Sequence, residues 1–100
     1  MRRRKVVDFA ESAVRDMEEI LDWYREQRVP EVGSRLVREI FADVGRLPDF
    51  PESGRVVPEL GVGKIRELIH PPFRIVYRID DTRIRIVRVW RSEKTLKIPG

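Results

Sequence analysis

The stretch Lys64–Lys97 reads KIRELIH-PP-FRIVYRID-DT-RIRIVRVWRSEKTLK. Its three runs of β-branched and aromatic residues are broken by Pro71-Pro72 and by Asp80-Asp81-Thr82. A proline pair cannot supply ladder donors, and short Asp and Thr side chains fold back on their own backbone. Both breaks therefore read as hairpin turns. The spacing predicts a three-stranded antiparallel meander. Positive charge gathers there as well: ten Lys and Arg stand against four acids, a local +6, while the whole chain carries +4. Function is expected on this basic sheet.

Working back from the meander, residues 48–63 hold Pro48, Pro51, Gly54, Pro58, Gly61 and Gly63 and read as a loop in which Val56-Val57 docks locally. Before the loop, Val32, Leu36, Val37, Ile40, Phe41, Val44 and Leu47 repeat with a helical period. A helix over 31–47 is predicted, with Pro30 in its first turn and Pro48 as its stop. A second stripe, Ala10, Ala13, Val14, Met17, Ile20, Leu21 and Tyr24, predicts a helix over 10–27. Its polar side is Arg15, Asp16, Glu18, Glu19, Asp22 and Arg25. The spacing of Asp8 and Glu11 resembles a capping box. Val6–Phe9 is long enough for a strand. So short a link between two one-sided helices predicts an antiparallel hairpin lying on the sheet.

One hundred residues with 41% apolar content fit one folded domain, 1–100. No apolar run is long enough to cross a bilayer, and the basic start lacks the apolar core of a signal peptide. The absence of cysteine excludes disulfides and thiolate metal sites. A cytoplasmic protein without cofactor or metal is expected. The basic balance, with a pI near 10.0, points to an acidic or polyanionic partner.

Alternation along the middle strand puts Phe73, Ile75, Tyr77 and Ile79 on one face, toward the helices, and Arg74, Val76 and Arg78 on the other. In the preceding strand Ile65, Glu67 and Ile69 oppose Lys64, Arg66, Leu68 and His70. In the last strand the apolar phase switches between Ile86 and Val89. Either both faces are covered or a bulge shifts the register. The arginines fit a solvated sheet face, with long stems over apolar surface. They equally fit a binding face, and acids are scarce at the alternating positions, so most are expected to lack a partner within the sheet.

Taken together, Gly54-Arg55, Val57-Pro58-Glu59, Ile65-Arg66-Glu67-Leu68, the run Phe73–Ile79, then Ile84, Ile86 and Val89-Trp90 resemble the RelE/ParE toxin superfamily, and the ParE branch more closely. The resemblance spans nearly the whole chain. It implies an α+β fold, with an N-terminal strand and an antiparallel helical hairpin packed on a mainly antiparallel sheet in the order β-α-α-β-β-β. It further implies the toxin of a bacterial type II toxin–antitoxin system, linked to growth inhibition and plasmid stabilisation, that binds a cognate antitoxin in a hetero-oligomer or forms a homo-oligomer.

ParE-type members inhibit DNA gyrase; RelE-type members are ribosome-dependent mRNA endoribonucleases. By the same resemblance Lys64, Arg66, Arg74 and Arg91 stand where RelE-type cleavage uses basic groups. The tyrosine expected near the C-terminus has no counterpart in Lys94–Ile98, and general acid–base work needs a group that can transfer a proton. The sole histidine, His70, reads as a turn-edge residue. The inhibitor reading is therefore favoured. Arg66, Arg74, Arg78, Arg88, Trp90 and Arg91 are the expected contacts for target or antitoxin. The remaining reading is a non-toxic basic binding module.

Overall fold

The computed structural model describes residues 4–92. In chain order it contains β1 (Val6–Phe9), α1 (Glu11–Glu26), α2 (Pro30–Gly45), β2 (Arg55–Val56), β3 (Ile65–His70), β4 (Phe73–Ile79) and β5 (Arg83–Arg91). The strands form one sheet in the order β1-β5-β4-β3-β2. β3, β4 and β5 are the expected antiparallel meander. The Lys5 ammonium donates to the carbonyls of Asp80 and Asp81 and so fastens the β4–β5 turn. β1 pairs in parallel with β5, which makes the sheet mixed. The stretch read wholly as loop also contributes β2, two residues paired antiparallel to β3.

The phase switch in β5 is a bulge. Val76 stands opposite Arg88 but Tyr77 stands opposite Ile86, so Val87 is the extra residue. Val89 thereby returns to the face of Ile75, its ladder partner.

Both helices lie where their stripes predict, with changed ends. α1 has Ala10 as N-cap and no side-chain cap. The capping-box expectation at Asp8 fails because Asp8 belongs to β1, opposite Arg85, and its carboxylate meets Arg83 at 3.2 Å and Arg85 at 3.1 Å. α2 ends at Gly45, two residues short of the expected stop, though Leu47 is still buried by the turn that follows. The helices approach closely at Gly33, where an added Cβ would stand 2.9 Å from Tyr24 Cβ.

One apolar cluster joins the layers: Ala13, Met17 and Ile20 of α1, Leu36, Ile40 and Val44 of α2, and Phe73, Ile75, Tyr77, Ile84, Ile86 and Val89 of the sheet. Four expected stripe members sit outside it, one of them Ala10, the N-cap of α1. Val14 is 42% and Phe41 52% exposed, and Leu21 is only half-buried, because the sheet meets a narrower arc of each helix than the periodic residues span. Phe41 instead packs on Phe9, ring centroids 5.2 Å apart. Ile40→Val should therefore cost about 0.5–1.5 kcal/mol, and Val14→Ala less than about 0.5 kcal/mol, in urea unfolding. Equal losses would contradict this placement of the core.

α1 also finishes the edge of β5. β1 stops at Phe9, and Ala10 N–H donates to Ile86 O at 2.8 Å. Ser12 Oγ then donates to Val87 O at 2.6 Å, and Asp16 Oδ2 accepts from Val89 N–H at 2.9 Å. Side chains of a helix thus satisfy backbone groups that a longer β1 would have satisfied. Asp16, expected on the polar side of α1, is buried for this reason. No helix among the described residues is long and apolar enough to cross a membrane.

Candidate binding site on the outer face of the sheet

The helices cover one face of the sheet, and Arg74, Arg78, Arg85 and Arg88 lie on the other. Ladder register sets Ile69, Arg74 and Trp90 side by side across β3, β4 and β5. At the centre of this row the Arg74 side chain is 8% exposed. Its Nε donates to Glu67 Oε2 at 2.6 Å. Its two terminal nitrogens donate to the two oxygens of Glu59, at 3.1 and 3.2 Å, as a two-pronged pair. Glu67 is fully buried, and its other oxygen accepts from Arg55 Nε at 2.7 Å. The hydrogen bonds that Arg74 donates to Glu67 and Glu59 raise its pKa further, and the bond to Glu59 holds that carboxyl below its ordinary value.

The expectation of unpaired arginines is corrected here. Arg78 pairs with Asp80 at 3.2 Å, Arg85 and Arg83 with Asp8, and Arg88 with Asp16 at 2.7 Å. Asp80 belongs to the β4–β5 turn and Glu67 to β3, but the other acids come from β1, α1 and the β2–β3 loop, where alternation within the meander could not reveal them. Asp16 raises the Arg88 pKa. The Arg88 guanidinium also lies over the Trp90 ring, 4.5 Å from its centroid. Trp90 is half-buried within β5, which places it on the sheet itself.

The expected basic set does not converge. Arg66 stands opposite Tyr77 and so shares the helix-side face, while Arg74 shares the outer face with Glu67. Arg66 donates to the carbonyls of Gly63 and Gly54, at 3.2 and 3.0 Å, and fastens the loop before β3. Lys64 is exposed just ahead of β3. Arg91 also faces the helix side, 4.9 Å from the Trp23 ring centroid and 5.9 Å from that of Phe73. There a cleft of about 150 Å³ opens between α1 and the end of β5, with Trp23, Tyr24 and Trp90 in its wall. Lys94, Lys97 and the tyrosine-free segment lie outside the described residues.

Two proton-bearing groups are tied down. The Tyr77 hydroxyl donates to Pro51 O at 2.7 Å and accepts from Gly54 N–H at 3.0 Å, and burial pushes its pKa up. Gly54 is required there, since an added Cβ would stand 2.6 Å from that hydroxyl. His70 is more than a turn-edge residue. Its Nδ1 lies 2.6 Å from Asp43 and its Nε2 3.0 Å from Glu39, joining β3 to α2. A neutral imidazole has one N–H, so only the imidazolium can donate to both carboxylates. Burial works against that charge, yet the bonds from Asp43 and Glu39 outweigh it and the pKa is raised.

A pKa raised in the folded state gives stability that is complete below the unfolded value, about 6.5, and lost as pH rises through the folded one. Melting temperature should fall across that window, and His70→Gln should flatten the slope. An unchanged slope in the variant would contradict the clamp. Among the described residues no cluster of His, Cys, Asp or Glu could hold a metal ion.

A sequence model of the family described as "ParE toxin of type II toxin-antitoxin system, parDE" matches residues 7–96. No curated protein sequence matches. Among solved structures the chain resembles one of the chromosomal ParDE toxin–antitoxin system from P. aeruginosa, with TM-score 0.75 and 25% identity over 90% of this chain and 98% of the other. The RelBE2 toxin–antitoxin complex of Mycobacterium tuberculosis gives 0.59 and 24% over 88% and 98%. The DinJ–YafQ toxin–antitoxin complex of E. coli gives 0.56 and 8% over 88% and 92%. The last two likenesses concern the fold alone.

Proposed function

The chain belongs to the ParE toxin family of type II toxin–antitoxin systems, and from that membership we propose that it inhibits DNA gyrase in the cytoplasm and is neutralised by a cognate antitoxin. The observation that carries the inhibitor reading over mRNA cleavage is the division of Arg66, Arg74 and Arg91 between two faces. A scissile phosphate needs charge-stabilising donors converging within hydrogen-bond reach, and a group to move the 2′-hydroxyl proton. Arg66 and Arg74 point to opposite sides of the sheet. The Tyr77 hydroxyl and the His70 ring are engaged by internal partners on the helix side. Binding requires no such convergence, and the outer face with Trp90, Arg78 and Arg88 supplies the aromatic and arginine contacts typical of protein interfaces.

Purified protein added to a translating extract should leave message intact on primer extension. Codon-phased cuts in the ribosomal A site would transfer the assignment to the RelE-like endoribonuclease.

A further inference from the structure

We propose that Arg74 is the docking point for a carboxylate of the antitoxin, and that Glu59 of the β2–β3 loop occupies this point in the free toxin and is displaced on binding. This rests on the reading of the chain as a toxin with a cognate antitoxin, and holds whichever cellular target the toxin attacks.

The inner side of the Arg74 guanidinium is committed. Its Nε bonds Glu67, which has no exposure and is shared with Arg55. The outer side carries both terminal nitrogens, and there Glu59 sits in the fork geometry that a partner's carboxylate would adopt. The two carboxylates differ in what holds them. Glu67 is fixed by its strand. Glu59 belongs to a loop between Pro58 and Gly61, the latter at φ 63°, closed mainly by bonds from Leu60 and Gly61 N–H to Val57 O. Its side chain is 26% exposed. Swinging Glu59 away breaks no ladder bond and leaves one uncompensated positive charge: Arg55 and Arg74 then face Glu67 alone.

The surroundings identify the ligand as a protein carboxylate and not a nucleic-acid phosphate. Ile69, beside Arg74 in the ladder, is 47% exposed, and Leu60 and Val62 of the same loop are 44% and 47% exposed. An anion flanked by apolar side chains fits this surface. A phosphate backbone would meet apolar groups where it needs cations. The loop itself presents that pattern, one acid among apolar residues in Pro58-Glu59-Leu60-Gly61-Val62, and shows that this surface accepts it.

The test measures binding of the purified product of the adjacent antitoxin gene to the full-length toxin. Glu59→Gln removes the internal competitor and should tighten binding roughly fivefold. Ile69→Ser should weaken it several-fold, and its exposure makes it safe for folding, which melting curves verify. In the double variant Glu59→Gln/Arg74→Lys the gain should vanish, because lysine cannot hold a carboxylate with two prongs. An unchanged or weaker Glu59→Gln complex overturns the proposal, as does a gain that survives Arg74→Lys. A parallel titration with inorganic phosphate and a short duplex DNA checks the ligand class: a Glu59→Gln gain there, without one for antitoxin, also overturns it. Gyrase assays report separately, so failure of the target assignment leaves this result standing.

Discussion

Glu67→Ala is expected to cost about 3–5 kcal/mol, the range for removing one partner of a buried ion pair. Domains of this kind are stable by only about 5–15 kcal/mol in total, so the variant should be close to unfolding. The Glu67 side chain is completely buried, and each oxygen accepts from a different arginine. Its removal leaves Arg74, 8% exposed, without the inner partner that offsets its desolvation. Asp22→Ala is the control. Its pair with Arg25 is exposed at both ends, 63% and 67%, and should be worth less than about 0.5 kcal/mol. Urea unfolding compares the two. A Glu67→Ala loss below about 1 kcal/mol would mean that the cluster is not what holds the outer face together.

Asp16→Ala should cost about 3 kcal/mol, for a different reason. The carboxylate accepts from Val89 N–H at 2.9 Å and from Arg88 at 2.7 and 2.9 Å. Alanine leaves a buried backbone donor without an acceptor, about 1–3 kcal/mol by itself, and removes the charged partner of Arg88. Asp16→Asn keeps one acceptor for Val89 and should recover part of the loss. Hydrogen exchange at Val89 N–H gives the sharper readout, since protection should fall in Asp16→Ala and largely persist in Asp16→Asn. Protection retained in both would show that α1 does not finish the β5 edge.

The meander and the helical hairpin were legible in the sequence because their signals are local. Proline and aspartate breaks bounded the strands, and apolar residues recurred every three or four positions along the helices. Even the bulge left a trace, in the phase switch between Ile86 and Val89. The electrostatic pattern left none. Asp8, Asp16 and Glu59 lie far from the arginines they meet, and only the assembled sheet brings them together. Asp8 shows how a local rule loses: its spacing to Glu11 suits a capping box, but strand pairing sets it opposite Arg85 first. Asp16 was hidden similarly, as one acid among several on the polar side of α1. The two-residue β2 was too short for any periodicity to register.

The separation of Arg66 from Arg74 follows from the pleat and was already implicit in the alternation. What the alternation lacked was the cross-strand register that fixes which residues of β3 share the helix-covered face of β4. The register also limits where the chain can be cut. β5 runs to Arg91, and Ser92 N–H donates to Pro72 O, so truncation after Val89 would remove ladder residues along with Trp90.

The most direct measurement of the central claim is supercoiling of relaxed plasmid by purified gyrase, with the toxin titrated in and the cognate antitoxin then added. Gyrase inhibition by a ParE-family toxin predicts that supercoiling falls with toxin dose and returns when antitoxin is supplied. Undiminished supercoiling at a large molar excess of folded toxin would contradict it.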